Sequence, residues 1–190
     1  MLICEALNSI VIVHTFLRYA ILKVLKLKSE VLFMKKMKVN PDFIPCLPVL
    51  GDEMLGGFPF NWHITKATAW IKENGDQVEL SKVQVGPPGP GADSAKLDED
   101  FLPQADLMKP IIMVRMRPEF FRLIDGNHRV AKARRMGVAE LPAYYLTQEQ
   151  HRQFFTSEDM DKRYVEYWNG KLKDFRKDNG RWGVVGEVGV

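Results

Sequence analysis

A strand, a tight turn and a short basic helix, read off residues 120–137, constrain this chain more than any other stretch. Phe120, Phe121, Leu123 and Ile124 are apolar or aromatic around a single Arg122, and Asp125-Gly126 is a strong turn signal. From Asn127 to Met136 the residues suit a helix, and Gly137 stands where a helix-ending glycine is expected. A helix that begins just after Gly126 aims its unpaired N–H groups back at the turn, and such a terminus favours anions. Val130, Ala133 and Gly137 form a stripe of small residues that lets the helix lie close to a sheet. His128, Lys132 and Arg135 follow at steps of four and three, so they line another face, flanked by Arg129 and Arg134. A solvated basic face is the plain reading of the later residues. His128 and Arg129 differ because they sit in the first turn, beside the anion-favouring end.

The flanking segments predict what this unit packs into. Residues 78–85 alternate as a strand does, with Val78, Leu80, Val83 and Val85 apolar. Gly86, Pro87, Pro88, Gly89, Pro90 and Gly91 then exclude helix and central strand, and the polar residues 92–100 extend the interruption into a long loop. Residues 110–116 make the next strand, and Arg117, Pro118 and Glu119 connect it to residues 120–124 as a hairpin. Residues 141–146 make a last strand. Strand, hairpin, helix and strand predict an α/β (α+β) fold around a small mixed sheet.

Outside that core, prolines and glycines across residues 40–57 predict an irregular wrap. Asn61 is the expected cap of a helix reaching Glu73, with Asn74-Gly75 as its stop and with Trp62 and His63 as surface or packing residues at its start. Thr147 and Gln150 have capping-box spacing. Ser157, Glu158 and Asp159 open a further helix whose Met160, Tyr164, Tyr167 or Trp168, and Leu172 repeat as a packing stripe to about Lys177. The glycine-rich tail from Asn179 is expected to fray.

The division expected is an apolar N-terminal extension at residues 1–38, a domain at 39–147 with its core at 78–146, and a C-terminal helical extension and tail at 148–190. Residues 10–27 are strongly apolar, yet His14, Arg18, Lys23 and Lys26 interrupt them, so stable membrane insertion is not expected. An upstream extension of the reading frame that is not part of the domain, or an amphipathic docking helix, fits that segment better. The formal charge of +3 is too small to identify a nucleic-acid binder by itself. Cys4 and Cys46 show neither metal-ligand spacing nor a disulfide framework, which fits a reducing, cytoplasmic setting.

Taken together, residues 78–146 resemble the ParB/sulfiredoxin-like superfamily, in particular ParB-like nuclease domains. The likeness lies in the strand at 78–85, the strand from Pro110, the hairpin return ending Leu123-Ile124-Asp125-Gly126, the helix reaching Arg134-Arg135-Met136-Gly137, and the strand opening Leu141-Pro142-Ala143. Members hold nucleotide phosphates at the corresponding turn and helix start. Partition proteins have Gly-Glu-Arg-Arg there, so Gly126 and Arg129 match while Asn127 and His128 depart. Sulfiredoxins have Gly-Gly-Cys-His-Arg, and Asn127 replaces the reactive cysteine, which argues against sulfinic acid repair. The small-molecule kinases that phosphorylate free serine have Asp-Gly-His-His-Arg, which Asp125, Gly126, His128 and Arg129 match.

The resemblance implies phosphate binding by Gly126, Asn127, His128 and Arg129, catalytic roles for Asp125 and His128, and ATP or CTP with a magnesium ion at Asp125. The residue chemistry agrees: Arg129 offers a planar fork to phosphate oxygens, His128 a further donor, and Asp125 a metal ligand or a means of orienting a nucleophile. Hydrolysis or phosphoryl transfer is the leading expectation. The alternative is a DNA-binding accessory module of plasmid, phage or chromosome maintenance, with Lys132, Arg134 and Arg135 on DNA phosphates. A nuclease-like module is weaker, since Asp125 is the evident ligand in the motif and Glu79, Asp98, Glu99 or Asp100 would have to complete a metal site. A homodimer is compatible with any of these.

Overall fold

The computed structural model describes residues 34–57, 59–86, 89–90 and 97–177. The apolar run at 10–27, the glycine-rich tail and part of the proline-rich loop lie outside the described residues. Among the described residues, six strands and four α-helices follow one another as β1 (Met54–Leu55), β2 (Trp62–His63), α1 (Ile64–Glu73), β3 (Glu79–Gln84), β4 (Ile111–Arg117), β5 (Phe120–Asp125), α2 (Asn127–Arg135), β6 (Glu140–Leu146), α3 (Gln148–Arg152) and α4 (Glu158–Lys177). Short 3-10 turns at Gly75–Gln77 and Leu102–Gln104 lie between them. β1 and β2 pair with each other, and the other four strands form one mixed sheet in the order β3-β6-β4-β5. The mixed α/β class read from the sequence is the class observed.

Within that sheet, β6 runs parallel to β4 and antiparallel to β3, while β4 and β5 form the expected antiparallel hairpin. Alternation along the strands sorts side chains onto two faces. Ile111, Met113, Leu123, Leu141 and Ala143 pack with Val130 and Ala133 of α2 on one face. Ile112, Val114, Met116, Ile124 and Leu146 pack on the other with Ile64 and Ile71 of α1 and Tyr164 and Trp168 of α4. Helices therefore cover both faces, which explains why β4 is buried almost throughout. Among the described residues, no helix is long and apolar enough to cross a membrane.

Local chemistry explains the ends of the elements. The Val138 N–H bonds the Ala133 carbonyl at 2.9 Å and the Gly137 N–H bonds that of Arg134 at 3.2 Å, with Gly137 at φ +67°. This is the Schellman arrangement, so Gly137 ends α2 as its position predicts. Thr147 and Gln150 form the reciprocal capping box on α3. The Ser157 hydroxyl accepts from the Met160 N–H at the start of α4, and Tyr164, Trp168 and Leu172 of the predicted stripe are buried, with Met160 and Tyr167 packed partly against the core.

The start of α1 differs from expectation. His63, not Asn61, caps the helix, through a ring Nδ1 that accepts from the Lys66 N–H at 3.3 Å. Asn61 instead accepts from the Gly57 N–H, because Trp62 and His63 are drawn into the β1–β2 ladder and both are buried. Part of the predicted irregular wrap is thereby a strand. Its preceding residues run beside α4: Asn169 exchanges bonds with the Met37 N–H and carbonyl, and the Trp168 indole donates to Lys35.

Two polar groups lie inside this second core. Arg152 and Asp161 form a two-pronged ion pair with both contacts at 2.6 Å, and Asp161 is fully buried. His151 accepts from the Trp62 indole N–H at 3.2 Å, which places its own proton on Nε2, 3.0 Å from the Arg115 carbonyl. The Tyr164 hydroxyl donates to the same carbonyl at 2.6 Å.

Candidate functional site

The turn singled out by sequence lies at the end of edge strand β5, where the hairpin delivers Asp125 opposite Ile112 of β4. Gly126 then takes φ +108° and starts α2 immediately, its carbonyl accepting the Val130 N–H at 3.0 Å. A side chain is excluded here twice over. L-residues with a Cβ disfavour that backbone region, and a Cβ would stand 2.5 Å from Ile111 Cγ2 and 3.1 Å from Arg129 Nε. The helix start is thus pressed against β4, with Gly126 in the cap position and no side-chain cap. Asn127 is the first helical residue.

Arg129 ties this corner together. Its Nη2 lies 2.6 Å from Asp125 Oδ2, one helical turn back, and its Nη1 donates to the Pro110 carbonyl at 2.8 Å and the Lys109 carbonyl at 3.4 Å. The start of β4, the end of β5 and the start of α2 therefore meet at one guanidinium. A guanidinium carries more donors than these bonds use, and the Arg129 and Asp125 side chains stay 15% and 22% exposed, so an anion can still be met from the open side.

A second acid, Glu53, belongs to this corner. Its carboxyl is held above the usual carboxylate range, first by loss of surrounding water and then by the Asp125 charge, with Arg129 and His128 opposing. The residue as a whole is exposed to solvent. The backbone of Glu53 is fixed against α1, its N–H donating to Thr65 Oγ1 at 2.7 Å and its carbonyl accepting from the Ile64 N–H at 2.9 Å. Sequence reasoning missed it because its neighbours at the turn lie some seventy residues further along the chain. The only local signal was an acid beside Asp52 in a segment read as irregular.

The remaining predicted residues are placed together, but each already holds a partner. His128 Nε2 accepts the Asp98 N–H at 2.9 Å, and the ring packs edge-on against Phe101 with centroids 5.1 Å apart. Lys132 Nζ donates to the Pro103 and Ala105 carbonyls, both at 2.7 Å. Arg134 donates to the Val85 carbonyl at 2.9 Å and that of Pro90 at 2.6 Å. Arg135 forms a fork with Glu99, both contacts at 2.7 Å. The basic face of α2 thus clasps the connection between β3 and β4. Of the acids considered for a metal site, Glu99 faces Arg135 and Asp98 Oδ1 accepts the Asp100 N–H, whereas Glu79 pairs with Tyr145 across the far edge of the sheet.

Among the described residues, no group of three or more His, Cys, Asp or Glu side chains is placed to hold a metal ion. Asp125 and Glu53 do supply two acids within electrostatic reach of one another. That set suits a magnesium ion completed by phosphates and water, which is how magnesium is commonly held, and does not suit an all-protein cage. No protein-family model, curated protein or solved structure matches the chain. The functional reading therefore rests on the residues of this corner.

Proposed function

We propose that the corner formed by Asp125, Gly126, Asn127, His128 and Arg129 binds the phosphates of a nucleoside triphosphate, ATP or CTP, in support of hydrolysis or phosphoryl transfer. The observation that carries the reading is Gly126, a left-handed residue with no room for a Cβ at the start of a helix whose first turn bears His128 and Arg129. Backbone amides and an arginine fork at a helix start suit a phosphate oxygen geometrically and electrostatically. Asp125 and Glu53 would hold magnesium, which supplies charge neutralisation at the phosphates when bound. Asp125 is in addition committed to orienting Arg129. The ParB/sulfiredoxin-like resemblance supports the same reading. No separate observation favours DNA binding, since Lys132, Arg134 and Arg135 are engaged within the chain.

Isothermal titration with ATP and CTP, each with magnesium, tests this. Binding is expected to weaken at least tenfold in Arg129→Ala, which removes the charged fork, a change on the order of 1.4 kcal/mol or more. Failure of the wild-type chain to bind any nucleotide, or an Arg129→Ala chain that folds and binds equally well, would refute the proposal.

A further inference from the structure

We infer that residues 97–105 form an internal strap over the basic face of α2, which nucleotide phosphates displace when they bind. The inference rests on the nucleotide reading above and concerns how that site is regulated. Its basis is the set of partners held by α2. His128 takes the Asp98 N–H, Lys132 takes the Pro103 and Ala105 carbonyls, and Arg135 takes the Glu99 carboxylate. Phe101 adds a ring contact on His128 while remaining 47% exposed.

These contacts are suited to release. Peptide carbonyls are neutral acceptors, and a phosphate oxygen is a stronger partner for the same lysine. The one charged contact, between Glu99 and Arg135, is 64% and 54% exposed at its two side chains, and exposed pairs contribute little to stability. Glu99 is held as an anion by Arg135, which pulls its carboxyl below the usual range. The strap thus sets a carboxylate of its own at the C-terminal end of α2, the helix whose first turn forms the proposed phosphate site.

At His128 Nε2 the two states are exclusive. As an acceptor of the Asp98 N–H, its Nε2 carries no proton. To donate to a phosphate oxygen from that atom, it must gain one and let the Asp98 amide go. The strap and a phosphate on His128 Nε2 therefore require opposite protonation of one nitrogen.

The test compares the wild type with Glu99→Ala, a surface change outside the proposed phosphate and acid residues. Each is titrated with ATP and with CTP, both with magnesium, and amide exchange at Asp98 is followed with and without nucleotide. Glu99→Ala is expected to bind about two- to fivefold more tightly, the range set by an exposed ion pair. In the wild type, nucleotide is expected to speed exchange of the Asp98 amide. Equal affinity in the variant, or an Asp98 amide that exchanges no faster with nucleotide bound, overturns the strap while leaving the nucleotide reading in place. No binding by either chain overturns both.

Discussion

Replacing Gly126 with alanine is expected to destabilise the fold by about 2–5 kcal/mol and to abolish nucleotide binding in whatever fraction remains folded. Two costs combine. The left-handed backbone at φ +108° costs an L-residue about 1–2 kcal/mol, and forcing a methyl into a filled space costs about 1–3 kcal/mol more. The filled space is identifiable: the new Cβ would stand 2.5 Å from Ile111 Cγ2 and 2.9 Å from Ile111 Cβ. Ile111→Ala removes the nearer of those atoms, so the double variant should recover part of the packing loss and none of the backbone loss. Urea denaturation of the four chains of this cycle separates the two contributions. Additive effects would show that Ile111 does not confine the turn.

The second large effect is acid sensitivity from His151. Burial, the dominant cause, and the nearby Arg152 charge depress this ring from its ordinary 6.5 to about 3, against the opposing bond to the Arg115 carbonyl. In the unfolded chain the same ring gains its proton near pH 6.5, while the folded chain resists until about pH 3. A depressed folded value means that full stability is present above the unfolded value and is lost as pH falls through this window. The loss from this group alone should reach about 3 kcal/mol by about pH 4. Depressed carboxylates such as Asp52 act in the same direction, so attribution needs a direct readout. The C2 proton resonance of His151 should not titrate between pH 8 and 5 in the folded chain. A midpoint near 6 would show that the Trp62–His151–Arg115 network does not hold the neutral ring.

Much of the architecture was legible because its causes are local. Gly137, the Thr147 and Gln150 pair, and the stripe of Tyr164, Trp168 and Leu172 act within a few residues of chain, and each does what its spacing predicts. The turn at Asp125-Gly126 was legible for the same reason. Long-range partners were not. His63 displaces Asn61 as a cap because β1 and Phe154 hold its backbone, a pairing that no pattern near Asn61 encodes. Glu53 reaches the Asp125 corner through the docking of β1 on α1. Similarly, the basic face of α2 looked solvent-directed by periodicity alone. Its strap arrives from residues 97–105, of which the sequence marked those up to Asp100 as polar loop.

The functional account depends most on where a nucleotide contacts the chain. The most direct measurement is a backbone amide NMR titration with ATP or CTP and magnesium. The account predicts that the largest saturable shifts fall on residues 126–129 and on Glu53, followed by Asp98 as the strap leaves. Shifts confined to other surfaces, or none at saturating nucleotide, would contradict it.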